Sequence, residues 1–259
     1  MPVRDLDLLR AAAASAGEIA RRYFEGSNEV WQKGHDDPVS EADIAVDRHL
    51  RETLLAARPD YGWLSEETAD TPERQSARRL FIVDPIDGTR AFVAGERTWA
   101  HSLAVVEDGR TTAAVVCLPM KSRVYAAAEG EGATLNGVPI STSATVQADG
   151  ARILASRPTL QDRFWRDGAP PIERHFRPSL AYRMSLVAEG RFDGMITLRD
   201  SWEWDIAAGA LIAGEAGAAV SDKAGRPLRF NNPHPVTHGV LAAAPGVHAD
   251  LAGRLLQAA

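Results

Sequence analysis

The sequence predicts an α+β fold in two parts, with helices covering a mostly antiparallel sheet and then an alternating α/β half. Three observations predict it. Apolar residues recur at helical spacing from about Asp5 to Phe24 and again after Ser40. Residues 100–129 read as successive apolar strands separated by tight turns. From about residue 151 strand and helix patterns alternate. The texture changes near residues 145–150, which sets the expected subdomains at 1–148 and 149–259.

The elements follow in chain order. Leu6, Leu9, Ala13, Ala16, Ile19, Ala20 and Tyr23 mark the first helix, and Gly26 can end it. Residues 26–40, with Gly34, His35, Asp36, Asp37 and Pro38, are expected to form a mobile loop. Ser40 caps a second helix with Asp43 in its first turn and Ile44, Val46, Leu50 and Leu54 on its apolar side. Residues 61–64 form a short strand, and residues 80–83 a buried one that ends on Asp84-Pro85. Strands at 101–107, 111–118 and 124–128 come next, with Asp108-Gly109 and Asn136-Gly137 as turns. The second half reads as a strand at 152–155, a helix at 179–189, a strand at 194–198, an Ala-rich helix at 205–216, strands at 218–221 and 239–243, and a last helix from about Val247. No internal repeat or low-complexity segment interrupts the pattern.

With 45% apolar and 25% charged residues the composition is that of an ordinary globular protein. A net charge of −6 gives no electrostatic footprint for a nucleic-acid polymer. The single cysteine, Cys117, lies in an apolar run and reads as a buried strand residue, which excludes a disulfide framework within the chain. The N-terminus lacks a signal-peptide pattern and no apolar run approaches the ~20 residues of a membrane span. These features place the protein in the cytoplasm, with no membrane partner.

Three carboxylate clusters carry the chemistry: Ser65-Glu66-Glu67-Thr68 after a short strand, Asp84-Pro85-Ile86-Asp87-Gly88-Thr89 after a buried strand, and Trp204-Asp205 at a helix start. Pro85 fixes its φ and removes a backbone donor, while Gly88 admits backbone angles that other residues resist. Asp84 and Asp87 can then turn toward one point, with the Ile86 carbonyl beside them. Carboxylates that close repel unless a cation neutralises them, and a hard divalent ion with oxygen ligands does so. A helix beginning at Thr89 would present N–H groups to an anion. Taken singly, each cluster fits a commoner role: an Asx turn at 84–89, a solvated acidic face at 66–67, an N-cap at Asp205. Their conjunction fits a multi-metal site. His101 in its strand and His35 in the loop are read as structural or solvated.

Together with Trp63-Leu64-Ser65-Glu66-Glu67-Thr68, Val83-Asp84-Pro85-Ile86-Asp87-Gly88-Thr89 and Trp204-Asp205-Ile206-Ala207-Ala208-Gly209, the motifs Ser40-Glu41-Ala42-Asp43 and Gly132-Ala133-Thr134-Leu135-Asn136-Gly137 extend over nearly the whole chain. On these residues the sequence resembles the inositol monophosphatase-like superfamily of Mg²⁺-dependent, Li⁺-sensitive phosphatases. The resemblance implies a layered αβαβα sandwich, often a homodimer, that hydrolyses a small phosphate ester with metal-activated water. It implies two or three Mg²⁺ ions: Glu66, Asp84 and the Ile86 carbonyl for the first, Asp84, Asp87 and Asp205 for the second, and a weaker third near Glu66. It makes Asp43, Glu66 and Thr89 catalytic, with Thr89 and Asp43 orienting the attacking water, and Gly88 and Thr89 N–H groups gripping phosphate. Lys33 falls where the family has a loop over the metals, and Glu67 is at most a support for the ligands.

For the substrate, Arg183 stands where the bisphosphate-nucleotidase branch of the family has a basic residue, so Asp87, Gly88, Thr89, Arg183 and Asp205 are the expected substrate contacts. An exposed helix arginine is the plainer reading of Arg183. Thr89-Arg90-Ala91-Phe92 resembles nucleotidase-like and histidinol-phosphatase-like members. Pro178-Ser179-Leu180 departs from the inositol branch, and Leu198 stands where that branch has an acidic inositol contact, with Asp200 and Glu203 nearby. The expected substrate is therefore adenosine 3′,5′-bisphosphate, with inositol 1-phosphate and then histidinol phosphate as alternatives. A non-catalytic regulator on the same fold is the alternative from a different class.

Overall fold

The computed structural model describes residues 4–32 and 38–256. Along the chain it contains α1 (Asp5–Glu25), β1 (Val30–Gln32), β2 (Pro38–Ser40), α2 (Glu41–Ala57), β3 (Gly62–Ser65), β4 (Arg79–Asp87), α3 (Thr89–Val93), β5 (Ala100–Glu107), β6 (Arg110–Leu118), β7 (Arg123–Ala128), β8 (Ala133–Leu135) and β9 (Val138–Pro139). There follow β10 (Arg152–Ala155), β11 (Glu173–His175), α4 (Leu180–Ala188), β12 (Gly194–Thr197), β13 (Ser201–Trp202), α5 (Glu203–Glu215), β14 (Ala219–Ser221), β15 (Val236–Thr237), β16 (Val240–Ala243) and α6 (Pro245–Arg254).

Strands β3 to β9 form a seven-stranded sheet in sequence order. Only β3 and β4 run parallel; the other pairs are antiparallel. Along β4 the side chains alternate between two cores, as a pleat of period two requires. Phe81 and Val83 pack with α1 and α2, while Leu80 and Ile82 face α4 and α5. Both faces are therefore covered, which is why this strand reads as a continuous apolar run. A second sheet, ordered β11-β10-β12-β16-β14, closes over the far side of α4 and α5. Helix α6 covers its outer face through Val247 and Leu251. The layers are thus α, β, α, β, α.

Helix α4 is buried along its whole length, and α5 buries Ile206, Ala207, Ala208, Gly209, Ile212 and Ala213, because a helix between two sheets has little polar face. The α4–α5 crossing is close: a Cβ on Gly209 would stand 2.8 Å from Met184 Cβ. Helix α2 instead buries a stripe of Ala42, Asp43, Val46, Asp47, Leu50 and Leu54, so two carboxylates point inward on an otherwise apolar face.

Several expectations change. Part of the 26–40 loop is ordered, since β1 pairs with β2 from Val30↔Ser40 to Gln32↔Pro38. Lys33 and His35 lie outside the described residues. Ile44 is only half-buried and lies outside the buried stripe of α2, because its position is rotated away from the 42/46/50/54 line. Strand β4 does not stop at Asp84 but runs through a register shift to Asp87. The helix expected from residue 205 starts at Glu203. The short strands β11, β13 and β15 gave no sequence signal, being two or three residues long and set by their partners rather than by their own pattern.

Gly209→Val is expected to destabilise the protein by about 1–3 kcal/mol through overpacking against Met184. The better helix propensity of Val returns only a few tenths of a kcal/mol. A urea midpoint lowered at unchanged m-value is the expected reading.

Candidate metal centre and active site

Strand register brings the first carboxylates together. Ser65 of β3 pairs with Val83 of β4, so the next residue of each strand, Glu66 and Asp84, emerges side by side. The Glu66 N–H still bonds the Val83 carbonyl at 3.3 Å. The β4–β5 register then shifts between Asp84, opposite Ser102, and Asp87, opposite Ala100. This bulge turns the strand end and aims both aspartates inward. Gly88 ends it with φ +104, a left-handed conformation that a side chain would strain. Asp205 arrives from the far half of the chain in the first turn of α5. The Ser102 hydroxyl, opposite Asp84, donates to the Trp204 carbonyl at 2.9 Å and pins that helix start to β5.

The result is a group of carboxylate oxygens from Asp84, Asp87 and Asp205, all within 4.8 Å of one another. Asp84 is 1% exposed, and its Oδ1 has no hydrogen-bond partner among the described residues. Asp87 Oδ2 accepts from the Ser179 hydroxyl at 2.6 Å and the Ala181 N–H at 2.7 Å, at the start of α4. Glu66 stands beside this group without joining it, yet among the neighbouring charges it acts most strongly on Asp84. Glu67 lines a cleft of about 420 Å³ on the α2 side, with Arg48 and Arg51.

The electrostatics of this group favour a cation. Burial first, then the charges of Glu66, Asp87, Asp205 and Asp43, hold the Asp84 carboxyl well above the usual carboxylate range. Burial pushes Asp87 up to about 6 against the opposing pull of Ser179, Ala181 and Arg183. A hard divalent cation fits this donor set: it would occupy the unpartnered Oδ1 direction of Asp84 and let the acids ionise together.

On the opposite wall, Ser40 caps α2 and both its N–H and its hydroxyl donate to Asp43 Oδ2, at 2.9 and 2.6 Å. Asp43 is fully buried, and desolvation raises its pKa. Thr89 Oγ1 lies 3.1 Å from Asp43 Oδ1 and 3.1 Å from the Ile86 carbonyl, so its single proton has both as acceptors. The structure therefore brings the Thr89–Asp43 pair and the Ile86 carbonyl together. Arg183 is buried rather than exposed, at 5%. Its guanidinium donates to the Arg177 carbonyl at 2.5 Å and lies over the Phe176 ring at 4.5 Å. Burial lowers its pKa to about 10, while the charges of Asp87 and Asp205 oppose that shift. Asp200 pairs with His238, and Glu203 is buried as acceptor for the Asn231 and Asn232 N–H groups.

A sequence profile of the inositol monophosphatase family matches residues 4–259. The chain belongs to the inositol monophosphatase family. Among its relatives is an inositol-1-monophosphatase of Rhizobium meliloti, 36% identical over 86% of this chain and 88% of the relative. Another is the 3′(2′),5′-bisphosphate nucleotidase CysQ of Aggregatibacter actinomycetemcomitans, 32% identical over 89% of this chain and 90% of the relative. An IMPase structure from Thermotoga maritima superposes with a TM-score of 0.82 at 27% identity, covering 96% of this chain and 95% of that one. The family is one of phosphatases, and its layered sandwich is the fold described above.

Three supports of the site in this family member escape a reading of motifs. Ser179 holds Asp87. His101, neutral because burial pushes it down to about 4, donates from Nδ1 to the Pro85 carbonyl inside the bulge between Asp84 and Asp87. Asp47 receives two hydroxyls from the turn that carries Glu66. A second acid one helical turn after Asp43 was the only signal for Asp47, and nothing local marked the other two.

The raised carboxyls make a stability prediction. A group whose folded pKa is raised stabilises the folded state fully below its unfolded pKa, about 4 for Asp, and loses that contribution as pH rises through the folded value. For Asp87 the window closes near about 6, and burial and the neighbouring acids raise Asp84 in the same direction. Asp84→Asn cannot ionise. It is therefore expected to raise the Tm of the EDTA-treated protein at about pH 8, with the gain vanishing near about pH 4, as read by scanning calorimetry.

Proposed function

We propose that this chain is a Mg²⁺-dependent phosphomonoesterase that cleaves the 3′(2′)-phosphate of adenosine 3′,5′-bisphosphate. The observation that carries the metal-dependent reading is the convergence of the buried Asp84 and Asp87 with the half-buried Asp205 around an Asp84 oxygen that has no hydrogen-bond partner among the described residues. Bound divalent cations would lower the pKa of a water and offset charge on the phosphoryl oxygens. Glu66, Asp84, Asp87, Asp205 and the Ile86 carbonyl are the groups we assign to hold two or three of them. Thr89, by donating toward Asp43, keeps its lone pairs for a water proton, and so orients that water's oxygen toward phosphorus. Asp43 supports the proton that Thr89 hands over. The Gly88 and Thr89 N–H groups open a helix and receive phosphate oxygens.

The bisphosphate preference rests on Arg183. Its buried cation lies close enough to Asp87 and Asp205 to act on both, and a planar guanidinium suits a second phosphate. The similarity to an inositol-1-monophosphatase supports inositol 1-phosphate as the second reading, ahead of histidinol phosphate. A purely regulatory role would leave the Asp43–Thr89 pair without a task. We further propose that it acts in the cytoplasm as a homodimer on a small ester, without nucleic-acid polymer or membrane. Among the described residues, no helix is long and apolar enough to cross a membrane.

Asp84→Asn is expected to abolish Mg²⁺-dependent phosphate release with the fold kept. EDTA should stop the wild type, Mg²⁺ restore it and Li⁺ inhibit it. Full turnover in the variant excludes the metal assignment. In a release panel of adenosine 3′,5′-bisphosphate, inositol 1-phosphate and histidinol phosphate, the first is expected to be preferred. Arg183→Ala should cost that substrate about tenfold to a hundredfold in kcat/KM, the size of one or two lost charged hydrogen bonds. Unchanged selectivity removes the nucleotide reading.

A further inference from the structure

Helix α2 buries two carboxylates one turn apart, and each grips a different wall of the centre. Asp43 holds Thr89, as described. Asp47, 7% exposed, accepts from the Ser65 hydroxyl at 2.5 Å and from the Thr68 hydroxyl at 2.6 Å. These two residues bracket Glu66 and Glu67. Ser65 is the last residue of β3, and its Oγ also accepts the Glu67 N–H at 3.4 Å, so the turn is closed from within and tied to α2 from without.

We propose that Asp47 is a positioning residue for the metal centre: by clamping both ends of the Ser65–Thr68 turn it fixes Glu66 against Asp84 and sets the affinity for the divalent ion. This rests on the metal-site reading above. Hydroxyl-to-carboxylate bonds of this length are charge-assisted and strong. The accepting carboxylate stands on a rigid helix, while both donors belong to the turn. Without these bonds the turn keeps its backbone bond to Val83, at 3.3 Å, and loses both hydroxyl bonds to Asp47. Glu66 then samples positions away from Asp84, and a ligand displaced in that way binds its ion less tightly. Asp43 and Asp47 share one helix, so α2 keeps the water-orienting wall and the Glu66 wall in a fixed relation. A purely fold-stabilising Asp47 would move Tm and leave ion affinity alone.

The test is Mg²⁺ titrated calorimetrically into the metal-free protein, beside phosphate release measured against Mg²⁺ concentration. Asp47→Ala is expected to weaken Mg²⁺ binding about tenfold or more, the usual cost of losing a group that orients a metal ligand. Its kcat at saturating Mg²⁺ should fall far less, and Asp47→Asn, which keeps an oxygen for Ser65, should lie between. A folded Asp47→Ala that binds Mg²⁺ like the wild type overturns the proposal. If that variant does not fold, Thr68→Val decides: it removes one of the two anchors near the surface, weaker Mg²⁺ binding supports the clamp, and unchanged binding overturns it. A wild type that takes up no Mg²⁺ overturns the metal reading and this inference with it, whereas equal binding by wild type and variants overturns this inference alone.

Discussion

Mutual repulsion among buried carboxylates is the constraint around which this molecule is arranged. The buried Asp84 and Asp87 and the half-buried Asp205 are brought within reach of one another, and their like charges would drive them apart. What opposes that drive is covalent and architectural. Asp84 and Asp87 share one bulged strand end, and Asp205 is fastened by the Ser102–Trp204 bond and by the close α4–α5 crossing. The layers on either side supply the stiffness, because the central sheet is buried on both faces, α4 along its whole length and α5 along its apolar side.

Polar groups that border the acids are divided between holding and relieving. Ser179, Ala181 and Arg183 favour the charged form of Asp87, and Ser40 and Thr89 favour that of Asp43. Among the described residues, Asp84 receives no such help at Oδ1. This asymmetry matters for chemistry: the group left unrelieved by the protein is the one that a cation relieves most. His101 contributes by staying neutral, since a positive charge beneath the bulge would oppose the binding of a cation there.

Much of this was legible in the sequence, for identifiable reasons. The strand apolar run ending in Asp84-Pro85-Ile86-Asp87-Gly88-Thr89 announced both the strand and its turned end, because Pro and Gly act locally. The Ser40 cap, with Asp43 in the first turn after it, was equally local. What could not be read depended on contacts between distant segments. For Arg183 the sequence left a surface helix position and a substrate contact both open, and its burial came from the Phe176 ring and the 177–178 carbonyls folding over it. Strand β1 formed because β2 returned beside it, not through any pattern in Val30-Trp31-Gln32. Asp47 appeared as one more acid on a helix until the turn at Ser65–Thr68 was in place.

The pairing of Ser65 with Val83 has a consequence for how such a chain tolerates change in length. Residues 69–73 are exposed, and an insertion there lengthens a surface excursion without altering which residues face each other across β3 and β4. One residue gained or lost inside β3 is different. It would carry Ser65 or Glu67 into the place of Glu66 and at the same stroke turn Leu64 out of its core, because neighbours on a strand look in opposite directions. Reading-frame-preserving indels should therefore accumulate on one side of Thr68 and be purged on the other.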